Sequence, residues 1–584
     1  MTRRPEQSSL NLRLPETDSG PDREARFFLE GCSAQALETG RTRLLAAGVV
    51  FAMAFLLVGW RLVDIASFSA GGGEPKIAAA PATLHSGRAD IVDRNGIVLA
   101  TSLPTASLYA NAKHVRDPDA AAARLVEVLP DLSRTEVAAK LATGRSFIWL
   151  KRNLTPREHY QVNRMGIPGL YFEREQRRYY PHGRLTAHSV GFTDIDNRGL
   201  SGLERSFDEV LRGREEPLAL SLDLRVQHAM TLELNAAMTE FDAIGAAGMV
   251  MDVASGEVLA MVSLPSFDPE RPGAAPADNR FNRASLGLYE MGSVFKIFTT
   301  AMALDEGVVT LTDGYDTSKP IRVARFTITD FKPKKRWLSV PEIFIYSSNI
   351  GTVHMAMAAG TAAQQSFLKR LGLTRPSSIE LSEVGTPMLP SPWREINTMT
   401  IAYGHGLAVS PVQLTGAVAA VVNGGEFRPA TLLKRPVGEA VPGTRIMDRD
   451  TSLKMRRLMR LVVRRGTGRQ ANAEGYRVGG KTGTADKLVG GRYARNARIA
   501  SFLAAFPMDA PRYVIFAMVD EPKGIERTHG YATGGWVAAP VVRAVVERIG
   551  PMLGVAPVRA DAEQDDGEEL LVQARVRART VAVD

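Results

Sequence analysis

A single cysteine in 584 residues, Cys32, leaves no material for a disulfide framework or a thiolate metal centre. The nine histidines include no His-Glu-x-x-His pair, so the common zinc-hydrolase pattern is missing, and no metal or other cofactor is expected. Basic residues outnumber acidic ones, 72 to 63, but they are spread along the chain without a dense basic block. That distribution suits a general surface charge beside anionic lipid or wall polymer, and it argues against a nucleic-acid groove. Long runs that are both uncharged and almost wholly apolar are also scarce. The main one is Leu44 to Trp60, the short end of a membrane span, with Arg43 and Arg61 placed to snorkel. A buried helix and a cleaved signal peptide are the competing readings. The long polar leader favours an uncleaved anchor over residues 44–63. Lys and Arg number seven in residues 1–43 and four in 61–103, which puts the N-terminus in the cytoplasm and the bulk of the chain outside.

In chain order, residues 1–43 read as a disordered cytoplasmic tail, 44–63 as the anchor and 64–85 as a linker containing Gly71-Gly72-Gly73. Residues 86–215 form a mixed, non-catalytic segment. Asn95-Gly96 marks a hairpin there, and Ser133 to Glu136 and Thr155 to Glu158 are helix-opening capping boxes. Asp223 opens a helical pattern to Phe241, and two strands follow about Ser255-Gly256. Helical patterns then run from Ser293 to about Val422, and strands return at Ile499–Phe506 and Tyr513–Val519. This order predicts an α+β fold in which one antiparallel sheet is flanked by helices, over residues 216–552. Residues 553–584 read as a flexible tail with an acidic cluster.

The chemistry centres on Ser293 and Lys296. They sit one helical turn apart at the start of an apolar run, Ile297 to Leu304, that ends at Gly307. A hydroxyl, an amine able to take its proton and the positive end of a buried helix are the parts of a nucleophilic serine site. The pair alone is too short a pattern to be specific, and Ser366 with Lys369 repeats it as a decoy. Two further elements give the first pair its company. Ser347-Ser348-Asn349 lies on a turn between two helical patterns, and Lys481-Thr482-Gly483-Thr484 follows two glycines. Read from Gly475, the latter also satisfies the phosphate-loop spacing. Its polar leading flank and the Gly490-Gly491 break after it fit neither the strand nor the helix such a loop requires.

Ser-x-x-Lys, Ser-x-Asn and Lys-Thr-Gly in that order match the active-site set of penicillin-binding proteins and β-lactamases. The chain resembles the class B penicillin-binding proteins, and within them the septal D,D-transpeptidases of cell division (the FtsI type). The likeness extends through Gly87-Arg88, Arg178-Tyr179-Tyr180-Pro181, Gly202-Leu203-Glu204, Tyr403-Gly404-His405-Gly406, Gly466-Thr467-Gly468 and Gly534-Gly535. Met291 departs from it, standing where many relatives have Pro. The resemblance implies a pedestal (dimerisation-type) domain over 86–215 and a transpeptidase domain over 216–552. It implies a D-Ala-D-Ala donor and an amine acceptor on peptidoglycan stem peptides, inhibition by β-lactams and residence in the bacterial inner membrane. The implied partners are a polytopic septal glycosyltransferase and other division proteins. Ser293 would be the nucleophile, Lys296 its base, Ser347 a proton relay, Asn349 a substrate-amide anchor, and Lys481, Thr482, Gly483 and Thr484 the carboxylate-binding edge. An elongation-specific transpeptidase, a β-lactamase and a non-catalytic wall sensor or scaffold are the alternatives.

Overall fold

The computed structural model describes residues 45–60, 87–323, 326–436, 438–439, 441–489, 492–558 and 570–571. The expectations for the tail 1–43, the linker 64–85 and the acidic cluster 561–569 lie outside these residues. The chain divides into two units, 1–84 and 85–584. In the first, residues 45–60 are a helix whose large apolar side chains stand exposed, Phe55 at 74% and Trp60 at 70%. No helix among the described residues is long and apolar enough to cross a membrane.

The second unit begins with strands β1 (Ile91–Val92) and β2 (Val98–Ala110), which pair antiparallel across the Asn95-Gly96 turn. Asp93 fixes this turn by accepting the backbone N–H groups of Asn95 and Ile97 at 2.7 and 2.9 Å. β3 (Ile148–Leu154) and β4 (Leu170–Tyr179) both pair with β2, and β5 (Leu218–Ala219) pairs parallel with β1. Helices α1 (Pro118–Val128), α2 (Arg134–Leu141) and α3 (Pro156–Arg164) pack on these strands around a separate small core that includes Leu125, Val137, Leu150 and Val162. The Thr155 capping box is complete, with Glu158 returning its side chain to the cap.

A buried ion cluster joins the segments that carry the resemblance in this region. The Glu204 carboxylate, fully buried, accepts from the guanidinium groups of both Arg88 and Arg178, which are 1% exposed. Arg88 continues to Asp208 at 2.6 Å. Removing the central partner of such a cluster strands two buried cations. Glu204→Leu is therefore expected to destabilise the protein by about 3–5 kcal/mol, read as a lowered thermal midpoint.

The larger sheet is wholly antiparallel. Its order is β8 (Gly479–Val489), β9 (Arg492–Phe506), β10 (Tyr513–Asp520), β6 (Gly245–Asp252), β7 (Val258–Leu264). Its central strands β6 and β10 are buried on both faces, which explains why they read as continuous apolar runs and not as an alternation. Period-two geometry sends Ala246, Val250 and Ile515 to one core and Ala247, Met249 and Val514 to the other. On the first face lie α4 (Leu224–Glu240), capped by Asp223, and the C-terminal helix 538–552. Gly248 lets α4 approach, since a Cβ there would meet Met230 Sδ at 2.6 Å. On the second face lie α5 (Lys296–Asp305), α6 (Val340–Tyr346), α7 (Asn349–Ala359), α8 (Pro411–Val422) and α9 (Arg449–Arg465).

Three sequence expectations need correction. Ser293 is not in the α-helix but in the 3₁₀ turn Gly292–Phe295 that leads into it. Asn349 is the first residue of α7 and not part of the turn before it, because the Ser348 hydroxyl caps the helix at the preceding position. The described pieces of the C-terminal tail are packed: Val555 is buried, the Val558 N–H bonds the Gly475 carbonyl at 2.8 Å, and Leu570 is buried.

Candidate active site

Every element of the site enters it from an end or an edge. α5 is apolar on nearly all sides and buried from Lys296 to Leu304, and Lys296, its first residue, places its amine at the N-terminal mouth. Gly292 opens that mouth with φ +52°, and a Cβ there would lie 2.5 Å from the Thr484 carbonyl oxygen. Gly483 is likewise pressed against Met291 and Val294, where a Cβ would sit 2.7 Å from the Met291 carbonyl oxygen. The turn carrying Ser293 thus lies directly on edge strand β8, with no side chain between the two backbones. Gly404 (φ +88°) closes the turn from behind, its carbonyl accepting the Gly292 N–H at 3.1 Å. These close approaches explain why the Tyr403-Gly404 and Gly534-Gly535 segments belong to the likeness. Gly534 itself stacks on the carbonyl groups of Ser501 and Gly483, and its N–H donates to Thr484 Oγ1 at 3.1 Å.

Ser347, the αL residue that ends α6 (φ 60°, ψ 44°), is the meeting point. Its Oγ accepts from Lys296 Nζ at 3.1 Å and from Lys481 Nζ at 2.9 Å. Lys296 also donates to the Ser347 carbonyl at 2.5 Å and to Asn349 Oδ1 at 2.6 Å. Lys481 reaches the Thr482 carbonyl at 3.3 Å, and Thr482 Oγ1 lies 2.8 Å from Thr467 Oγ1. Ser293 is half-buried one turn before Lys296. Lys296, Ser347, Asn349 and Lys481 are therefore one hydrogen-bonded group, while Ser293, Thr482, Gly483 and Thr484 line up where the turn meets the edge strand. The decoy Ser366 is exposed on the helix Thr361–Arg370, as a solvated face would be. Lys481 lies within a strand, and the next described element is a strand and not the helix that a phosphate loop opens, which removes that reading.

Both lysines are fully buried, with oxygen acceptors and, among the described residues, no carboxylate in hydrogen-bond contact. Burial, and then the neighbouring Lys481 charge, push the Lys296 amine well below its ordinary value, while Asp330 opposes the shift. Burial alone brings Lys481 down to about 7. A neutral amine at position 296 can take a proton, and one at 481 can hold a proton or release it near neutrality.

Asp330 belongs to no motif legible in the sequence, yet it braces the site. Its carboxylate takes the Asn349 and Ile350 backbone N–H groups at 2.6 and 3.0 Å and the Ser348 hydroxyl at 2.8 Å, so it holds the N-terminus of α7 in register with Lys296. Since Asp330 favours the charged form of Lys296, Asp330→Asn should lower the Lys296 pKa further and move the acid limb of acylation to lower pH. Loss of the charged cap should also destabilise the protein by roughly 1–2 kcal/mol, measured by thermal melting. A second unforeseen group stands behind the nucleophile turn. Glu290 accepts from the Gly406 N–H at 2.8 Å and from Tyr493 Oη at 3.0 Å, and the half-buried His405 ring lies between Tyr403 and Tyr493. Burial pushes His405 below its ordinary value against the pull of Glu290.

The model of the penicillin-binding protein transpeptidase domain matches residues 246–547, and that of the penicillin-binding protein dimerisation domain matches 83–223. The chain is 39% identical to the probable peptidoglycan D,D-transpeptidase FtsI of Caulobacter vibrioides, over 87% of either chain. It is 30% identical to the peptidoglycan D,D-transpeptidase FtsI of Escherichia coli, over 88% of this chain and 92% of that one. Penicillin-binding protein 3 of Mycobacterium tuberculosis, solved with aztreonam, superposes with a TM-score of 0.64 at 24% identity, covering 81% of this chain and 97% of that one; this likeness concerns the fold.

Proposed function

The chain belongs to the penicillin-binding protein transpeptidase family, and on that premise we propose that it is a septal peptidoglycan D,D-transpeptidase working through a serine acyl-enzyme. The observation that carries this reading is the convergence of two buried lysines on the Ser347 hydroxyl beside the turn bearing Ser293.

In the proposed mechanism, Ser293 Oγ attacks the carbonyl carbon of the penultimate D-Ala as its proton passes to neutral Lys296. The oxyanion that forms is held by the backbone N–H groups of Ser293 and Thr484. The intermediate collapses as Ser347, poised between both lysines, hands a proton to the departing D-Ala nitrogen. The C–N bond breaks, and the stem peptide remains as an ester on Ser293. The amine of a second stem peptide then attacks that ester, its proton returns through the same group, and the cross-link leaves Ser293 as a free hydroxyl. Asn349 holds the substrate amide. Lys481, Thr482, Gly483 and Thr484 receive the terminal carboxylate along the open edge of β8, where a peptide can add as a further strand. β-Lactams present the same carbonyl and stall at the ester.

Residues 44–63 serve as the anchor in this reading, with the N-terminus cytoplasmic and the catalytic unit on the outer side of the bacterial inner membrane at the division septum. The apolar, uncharged run and the charge asymmetry around it support this. A polytopic septal glycosyltransferase and other division proteins are the partners that the resemblance implies.

The test is an assay of the purified full chain with a D-Ala-D-Ala donor peptide and an amine acceptor. Release of D-Ala with formation of the joined peptide is expected. Covalent binding of penicillin without any joined product would support a sensor, and rapid turnover of penicillin would support a β-lactamase.

A further inference from the structure

A cavity of about 640 Å³ opens away from the site just described, between the β6–β7 turn, the residues after α8, the first turns of α9 and the β9–β10 turn. Arg428, Arg449, Arg456 and Arg512 line it together with Glu426 and Asp509. Both carboxylates are already engaged: Glu426 binds Arg428 and Arg445 at 2.5 and 2.9 Å, and Asp509 lies 3.5 Å from Arg477. Among the described residues, no carboxylate pairs with Arg449, Arg456 or Arg512. Arg456 is half-buried and spends its Nε on the Val422 carbonyl at 2.6 Å, and burial without a counter-charge pushes its guanidinium below the ordinary value. The Arg512 guanidinium donates to the Gly554 carbonyl and to Tyr513 Oη. The cavity also adjoins the first turn of the 17-residue helix α9, where no side chain caps the backbone.

We infer that this cavity is a binding site for a multiply charged phosphate group. Guanidinium forks present paired N–H donors matched to phosphate oxygens, and three without carboxylate partners around one recess leave an excess of positive charge for which the protein supplies no counter-ion. The volume exceeds that of a diphosphate, and Val253, Leu453 and Pro511 add an apolar wall. The ligand class is therefore an organic phosphate, either soluble or the headgroup of an anionic lipid. The site is remote from the reacting atoms. α9 spans about 25 Å from Arg449 to Arg465, and only beyond its far end does Thr467 meet Thr482.

The probe is inorganic pyrophosphate, titrated by calorimetry into the detergent-solubilised full chain, with penicillin labelling as the control for folding. Saturable binding is expected, weakened about tenfold or more in both Arg456→Gln and Arg449→Gln. It should be unchanged in Arg174→Gln, which removes one exposed charge elsewhere, and all three variants should keep full labelling. Equal affinity in wild type and both cavity variants would overturn the site, as would the absence of saturable binding. Equal or tighter binding of citrate would overturn the phosphate class. Vesicles containing phosphatidic acid, whose monoester headgroup can carry more than one charge, then separate the sources. Arg456-dependent vesicle binding that pyrophosphate displaces identifies a lipid headgroup, and Arg456-independent vesicle binding beside Arg456-dependent pyrophosphate binding identifies a soluble phosphate.

Discussion

Ser293→Ala should erase covalent labelling by a fluorescent penicillin, with the acylation rate falling by at least about four orders of magnitude. The hydroxyl is the atom that forms the new bond, and no neighbour can replace it at the mouth of α5. Ser366→Ala alters the same sequence pattern on an exposed helix and should label like the wild type. Comparing the two variants by gel fluorescence separates a reaction at one hydroxyl from a general loss of structure. Thermal melting of Ser293→Ala should change little, since its half-buried hydroxyl anchors no helix cap. Labelling that survived in Ser293→Ala would refute the assignment of the nucleophile.

The second large effect concerns Lys296. Lys296→Met removes the amine while keeping an unbranched chain of similar length in a fully buried slot, so acylation should fall by roughly three orders of magnitude or more. The pH dependence gives the finer test. Lys296 acts as a base only when neutral, so the acylation rate should rise with pH through its lowered pKa and be established well below the ordinary lysine range. Lys481 holds a carboxylate only when protonated, so kcat/KM should fall as pH rises through its own value of about 7 in the free enzyme. Lys481→Arg should flatten that alkaline limb and leave the acid limb in place, because arginine stays charged. Stability carries the opposite cost. Below the ordinary lysine value the unfolded chain binds protons that the folded site refuses. Folding stability should therefore rise with pH between the depressed folded values and about 10.4. Lys296→Met should remove part of that slope in denaturant titrations at several pH values.

The sequence displayed the reactive groups better than it displayed the residues that hold them. Ser293, Lys296, Ser347, Asn349 and Lys481 stand in short local patterns, and local spacing is what a sequence shows directly. The antiparallel sheet was legible because its strands are long apolar runs between turn residues, as at Tyr513–Asp520. Asp330 was not legible, because it acts across 18 residues on the start of another helix and its own surroundings look like any polar loop. The Glu290, His405 and Tyr493 group depends on segments far apart in the chain coming together. Gly292, Gly404, Gly483 and Gly534 could be noticed as motif members, but their reason is a backbone-to-backbone approach that exists only after folding. The 3₁₀ turn at Ser293 escaped for a related cause: the apolar run of α5 continues smoothly upstream of it, and only packing against β8 tightens the winding.

Residues 218–224 have an implication for anyone dissecting this molecule. Leu218 and Leu220 donate to the Asp90 and Val92 carbonyls on one side, while Ser221 bonds Leu432, Val258 and Thr431 on the other and the Leu224 N–H ends on Asp93. A truncation beginning after Leu224 would peel away a seam shared by both halves and bare a row of dry amides. Soluble fragments for crystallography or inhibitor screening should accordingly start upstream of Arg88, and insertions meant to decouple the halves belong in exposed loops away from this seam.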